Sequence, residues 1–215
     1  MTVPEDYLDD PFFYHLSDRE RSVLNANASI MTFDQEEMFI KNESLLFSVF
    51  YIYKGQVKIK DQKNRLCDLY GKKDFIGLRY LFNEIPVYFS AYGVKGAQII
   101  QFEKNVFKKF ASTNSKFLVD LYNMSSVNVS ALSRNLISYK LHKINGSLAD
   151  FLIHYHEKDC LNFLKQKEIS EVLGYSRENV CKCMNEFTAE GYIEYTEGSI
   201  KILDMEALRA IKKFG

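Results

Sequence analysis

EISEVLGYSRENVCKCMNEFTAEGYI, residues 168–193, holds two short helical patterns separated by a glycine. Ile169, Val172 and Leu173 share one face of the first pattern. Val180, Cys183, Met184 and Phe187 share one face of the second. Gly174 falls where the first helix must end in a left-handed conformation, which glycine adopts at little cost. Ser176 is placed to cap the second helix, and Glu178 falls in its electropositive first turn. Ser170, small and mid-helix, lets the two helices approach closely. The pattern is that of a helix-turn-helix. It leaves Arg177, Glu178 and Lys182 exposed near the start of the second helix, the end that enters a major groove. Arg or Lys reaches guanine O6 and N7, and Glu accepts from cytosine N4.

A solvated charged helix would carry the same three side chains. The glycine, the serine cap, the small Ser170 and the hairpin that follows favour DNA reading instead. Ser176, Arg177, Glu178 and Lys182 are therefore the candidate DNA-binding residues. Charge alone does not explain phosphate attraction, because residues 164–187 hold four basic and four acidic side chains. Lys140, Lys143, Lys201, Lys212 and Lys213 are further candidates for phosphate contact.

Downstream, TAEGYIEYTEGSIKIL (188–203) gives strands Tyr192–Tyr195 and Ser199–Leu203 around a Glu197-Gly198 turn, a wing. DMEALRAIKK (204–213) is a final helix with Asp204 at its cap. Upstream, SLADFLIHYHE sets Leu148, Phe151, Leu152 and Tyr155 on one helical face. Asn145-Gly146-Ser147 is expected to break the long helix that precedes it.

The region before that has a different period. From about residue 104 to 140 the pattern is helical, and Leu118, Tyr122, Ser125, Val129, Leu132, Leu136 and Tyr139 alternate in steps of four and three. This is a heptad seam on one long helix. It suits a two-chain coiled coil over an amphipathic helix packed on its own domain, because it persists for three heptads. Leu118, Tyr122, Ser125, Val129, Leu132 and Leu136 are the expected dimer interface.

Residues 30–103 alternate with period two. In FSVFYIYKGQVKIK (47–60), Val49, Tyr51 and Tyr53 alternate with Phe50 and Ile52, a Lys-Gly turn follows, and Val57 and Ile59 continue. LCDLYGKKDFIG and SAYGVKGAQIIQFE repeat the theme, so many short strands with glycine turns predict a β-sandwich or roll.

The bulk composition fits these segments. Of 215 residues, 47% are hydrophobic and 26% charged, with 28 basic and 28 acidic side chains. A wholly basic nucleic-acid coat is excluded, while a local basic face is not. Three prolines and ten glycines argue against low complexity. Cys67, Cys160, Cys181 and Cys183 form no C-x-x-C pair. The acidic MTVPEDYLDD is unlike a signal peptide, and no run approaches a membrane span. A cytoplasmic protein with reduced thiols and no membrane partner is expected.

The order of β-roll, long helix, helix-turn-helix and wing resembles the Crp/Fnr family of bacterial transcription regulators. FYIYKGQVKI is similar to the family's strand-turn-strand, GKKDFIGLRYLF to its "GDxFGExxLF" segment, and EISEVLGYSRENV to its recognition motif. The resemblance implies an α+β chain. Residues 1–113 would form a cyclic-nucleotide-binding-like β-roll, a double-stranded β-helix. Residues 114–144 would form a dimerisation helix and hinge, and residues 145–215 a winged helix-turn-helix. It also implies a homodimer on a two-fold, double-stranded DNA operator, with RNA polymerase as a further partner.

The family's cyclic-nucleotide chemistry does not carry over. Gly77 is followed by Leu78 where the family has a Glu for the ribose. The cyclic-phosphate Arg falls at Tyr88 or Phe89, and Arg79 is expected at the wrong end of the cassette. Without a cation there, a phosphate lacks its charge-assisted hydrogen bonds. Leu132 and Ser133 stand where the family contacts the purine. The effector-pocket positions are Gly77, Leu78, Tyr88, Phe89, Ser90, Leu132 and Ser133, expected not to bind cyclic AMP tightly.

The cassette is instead aromatic and apolar, which suits a filled core or an apolar effector. An iron–sulfur cluster lacks its clustered N-terminal cysteines. His154 and His156 diverge on a helix, so no metal site is expected, while a single axial histidine for haem stays open. No catalytic residue is assigned: there is no nucleophile–base motif and no phosphate loop, and residues 30–103 lack a cupin's histidines. The alternatives are a haem, redox or apolar-ligand sensor of the same fold, or a winged helix used for protein contacts.

Overall fold

The computed structural model describes residues 3–126, 143–196 and 198–214. Two 3-10 turns, Glu5–Asp9 and Pro11–Phe13, lead into α1 (Asp18–Ala26). Eight strands follow: β1 Ala28–Thr32, β2 Glu37–Ile40, β3 Ser48–Lys54, β4 Val57–Lys60, β5 Leu66–Tyr70, β6 Phe75–Ile76, β7 Ser90–Gly93 and β8 Gln98–Glu103. They form two antiparallel four-stranded sheets, in the orders β1-β8-β3-β6 and β2-β7-β4-β5.

The two-residue alternation along β3 divides two cores. Phe50 and Ile52 point into the roll, where Phe33, Val57, Ile59, Ala91 and Ile99 meet them. Val49 and Tyr51 point the other way, into an aromatic layer made with Tyr7, Phe12, Phe13, Phe75 and Phe102. The roll is thus apolar on both faces of its first sheet, and helices close the outer one. These are α2 (Lys104–Thr113), supplying Phe107 and Phe110, and α3 (115–126), supplying Phe117 and Leu121.

The long helical stretch expected from residue 104 is two helices. At Asn114 the backbone turns extended (φ −129°, ψ 97°), and the Asn114 side chain accepts from the Phe117 amide, capping α3. Val129, Leu132, Leu136 and Tyr139 of the seam, and Ser133 of the expected pocket, lie outside the described residues.

The C-terminal part comprises α4 (Ile144–Glu157), α5 (Gln166–Leu173), α6 (Arg177–Ala189), the hairpin β9 (Ile193–Thr196) and β10 (Ser199–Ile202), and α7 (Met205–Phe214). Asn145-Gly146-Ser147 does not break the chain; it forms the first turn of α4. The extended residue is Lys143, ψ 170°. Gly146 and Ser147 are buried, and the Cys183 thiol of α6 meets Asn145 Oδ1 at 3.2 Å. Small side chains here serve close packing of α4 on its neighbours.

The second sheet of the roll is covered by this C-terminal part. Leu66 and Leu69 of β5 belong to the same buried cluster as Phe151, Leu152, Tyr155, Ile169 and Leu173. Gly71, just after β5, is essential to the fit: a Cβ there would stand 2.3 Å from Lys158 O and 2.8 Å from Cys160 Sγ. Polar bonds frame the contact. Tyr155 Oη donates to Asp68 Oδ1 (2.6 Å), Lys158 Nζ pairs with Asp74 (2.9 Å), and Leu66 N donates to Glu171 (2.8 Å).

Candidate nucleic-acid interface

The turn between α5 and α6 is built as its sequence requires. Gly174 closes α5 at φ +73°, a conformation that would strain a side chain. The Ser176 side chain then accepts from Asn179 N at 3.3 Å and caps α6. Behind these, Val180, Cys183, Met184 and Phe187 are buried against Ile169 and Leu173. Ser170 is buried, its hydroxyl turned back onto Lys167 O. With the inner face anchored, Ser176, Arg177, Glu178, Asn179 and Lys182 are all exposed. The structure therefore brings the four expected DNA-reading residues onto one open surface.

A cleft of about 370 Å³ opens beside them, lined by Lys165, Gln166, Lys167, Arg177 and Tyr195. It lies between the start of α5, the start of α6 and the wing. Three cations and a phenol around the amino end of a helix suit a backbone phosphate. Lys165, Lys167 and Tyr195 were not singled out from sequence. Their proximity depends on the wing folding back on the helix pair, and only spacing to an unplaced hairpin could have signalled it.

Of the lysines proposed for phosphate, Lys212 is already used: its Nζ pairs with Asp150 Oδ1 at 2.6 Å, tying α7 to α4. Lys143 and Lys201 are exposed. Lys213 is exposed but engaged in an interaction of its own. Lys140 lies outside the described residues.

The even balance of charges in residues 164–187 has a structural resolution. Glu168 and Glu171 both turn toward the β-roll. Glu168 Oε1 pairs with Lys58 Nζ at 2.6 Å, and its other oxygen accepts from Lys165 N at 2.9 Å. Glu171 accepts from the Leu66 amide. Lys58 is 3% exposed and also bonds Glu36 at 3.1 Å. Burial opposes the Glu36 charge, but hydrogen bonds from Lys60 and Lys58 prevail and hold its carboxyl below the ordinary range. Two of the four acids thus face protein, while Lys165, Lys167, Arg177 and Lys182 face solvent.

The thiols divide by environment. Cys160 and Cys183 are buried, and burial pushes each up to about 12. Cys181 is half-buried, its Sγ 2.8 Å from Gln166 Oε1. The two recognition-helix cysteines therefore do lie on different faces.

The effector-pocket positions do not share one surface. Leu78 is buried in the aromatic layer and Phe89 packs against the inner core, while Tyr88 is 71% exposed. Ser90 is buried, its hydroxyl accepting from Asn42 N at 3.1 Å. Gly77 has φ +105° and lies against Ser48 O. Leu132, like Ser133, falls outside the described residues. The Arg79 guanidinium folds over the Tyr80 ring (4.8 Å) and reaches the Phe89 ring (5.8 Å).

Residues 146–211 match the Crp-like helix-turn-helix domain. The chain shares its fold with solved structures of the Crp/Fnr family. It overlays FixK2 from Bradyrhizobium japonicum with a TM-score of 0.73 at 14% identity, covering 86% of this chain and 96% of that one. A Crp/Fnr-family regulator from Eubacterium rectale gives 0.71 at 14% identity, covering 94% and 98%. The chain is similar to Crp/Fnr-family regulators in fold and, over residues 146–211, in its helix-turn-helix pattern. In sequence, it is 22% identical over 173 residues to a CRP-like cAMP-activated global transcriptional regulator of Mycobacterium tuberculosis, covering 74% of this chain and 77% of the relative. Among the described residues no helix is long and apolar enough to cross a membrane.

Proposed function

We propose that this chain is a DNA-binding transcription regulator of the Crp/Fnr type, acting as a homodimer that reads a two-fold DNA operator through Arg177, Glu178 and Lys182. The outer face of α3 supports the dimer. Phe117 and Leu121 are buried against the roll, while Leu118 (42%), Val119 (55%) and Tyr122 (71%) are exposed. An apolar stripe facing away from its own domain needs a partner, and the seam makes a second copy the natural one. Leu118, Tyr122 and Ser125 begin that seam. A dimer would set two recognition helices roughly 34–36 Å apart, one turn of DNA.

The cassette supports a regulator that does not depend on cyclic AMP. Leu78 fills a core where the family has its ribose carboxylate, and Tyr88 and Phe89 replace the phosphate cation. Arg79 stacks on aromatic rings and is tied to Tyr80 Oη at 2.7 Å.

Operator binding tests the reading. Leu118→Glu with Tyr122→Glu should give a monomer in sedimentation and remove binding to an inverted repeat. Arg177→Ala and Glu178→Ala should leave a dimer that no longer distinguishes operator from random DNA. Wild-type specificity in both single variants would remove the assignment. Saturating cyclic AMP should leave operator affinity unchanged.

A further inference from the structure

On the far side of the roll from the winged helix, the loop Leu45–Phe47, the loop Asn83–Ile85 and the start of α2 enclose a cleft of about 370 Å³. It uses none of the positions expected to form the effector pocket. Its walls are apolar: Leu45, Leu46, Phe47 and Ile85, with Phe47 77% and Ile85 50% exposed. Its polar side carries two cations beside Asn83, Asn105 and the single carboxylate Glu84. Lys104 and Lys108, one helical turn apart on α2, both line it.

Lys104 is the unusual member. It is 8% exposed, yet its ammonium has one hydrogen-bond acceptor, the Asn83 carbonyl at 2.9 Å. Among the described residues no carboxylate comes within ion-pairing distance of it. A cation removed from most of its water is ordinarily paired with an anion. Burial and the neighbouring Lys108 hold Lys104 below the ordinary lysine range, and Glu84, exposed on the rim, only partly offsets this. The Lys58 cluster on the opposite sheet shows the contrast: a buried lysine there has two carboxylates.

We propose that this cleft binds a small amphipathic carboxylate, its anionic head between Lys104 and Lys108 and its apolar body on Leu45, Phe47 and Ile85. The volume is at the small-ligand end of the usual range. The mixture selects the class: a purely apolar guest would leave two ammonium groups facing hydrocarbon, and a small inorganic anion would leave the phenyl ring in water. Glu84 disfavours dianions and phosphates, which would bring a second negative charge against it.

Decanoate, below its micellar concentration, is the probe, titrated calorimetrically into the full-length protein. Binding at one site per chain is expected, with decanol at least tenfold weaker. Lys104→Met should lose tenfold or more for decanoate and little for decanol. Phe47→Ser, at an exposed rim position that leaves the core intact, should weaken both. Glu84→Gln should tighten decanoate. No saturable binding to wild type overturns the proposal, as does equal affinity for decanoate and decanol, or decanoate binding that survives both Lys104→Met and Phe47→Ser.

Discussion

The β-roll is gripped on two sides by two different kinds of contact. On its first sheet, Tyr51, Phe75 and Phe102 meet Tyr7, Phe12, Phe13, Phe107 and Phe117. Phe12 and Phe75 rings lie 4.4 Å apart, and Phe12 and Phe13 pack edge to face at 5.0 Å. On its second sheet, the winged helix is held by Lys58–Glu168, Asp68–Tyr155 and Asp74–Lys158, with Leu66 and Leu69 as apolar anchors. Separating the aromatic contact exposes hydrocarbon, with nothing gained in return. Separating the polar contact returns ions and hydroxyls to water, which recovers most of what is lost. One joint is therefore permanent, and the other is suited to opening within the folded chain.

The sharpest way to break this contrast is at Phe75. Phe75→Ala should cost about 3–5 kcal/mol of unfolding free energy, read from urea denaturation. A loss under about 1 kcal/mol would mean the aromatic layer is no more binding than the polar one. Gly71→Val addresses the second joint directly. The added Cβ has no room against Lys158 O, so the winged helix should detach while the roll stays folded. Small-angle scattering should show a larger particle, and far-UV circular dichroism should not change.

Lys58→Met should cost about 1–3 kcal/mol by stranding Glu168 and Glu36. Adding Glu168→Gln should restore much of it. If the double variant is no better than the single one, the pair is not the unit that holds the joint.

The smallest expected effect is that of pH. Burial raises the Asp68 carboxyl above its ordinary 3.8, outweighing the Tyr155 hydroxyl and the Lys158 charge. The docked form therefore takes up a proton more readily than the detached form. Docking weakens as pH rises through the raised value and strengthens as pH falls below it. The lowered Glu36 is held by Lys60 and Lys58 of the roll itself and bears on the roll rather than on docking. As pH falls through the raised Asp68 value, protection factors across β5 and α5, corrected for the intrinsic pH dependence of exchange, should rise, and Asp68→Asn should flatten the response.

How much of this was legible in the sequence follows the same division. Val49 and Tyr51 against Phe50 and Ile52 announce a strand buried on two faces, because each face carries its own apolar set. Gly174 and Ser176 mark the turn, because backbone geometry there tolerates few residues. Lys58 and Lys60 alternate with Val57 and Ile59, yet both are buried. Alternation shows that a face is polar and is silent on what covers it. Asn145-Gly146-Ser147 misled for a related reason: small residues serve a turn or a close helix crossing equally well, and only the Cys183 contact decides. Phe12 and Phe13 carry no period of their own and gain their role from distant strands.

The orientation of Glu168 and Glu171 has one last consequence, for anyone tempted to treat residues 143–215 as a portable module. Cut from the roll, that fragment would present Glu168 without Lys58 and Glu171 without the Leu66 amide, beside the very cleft lined by Lys165, Lys167 and Arg177. Its reading head would be intact and its polarity spoiled. In this protein the β-roll also serves as the electrostatic insulation of the helix-turn-helix.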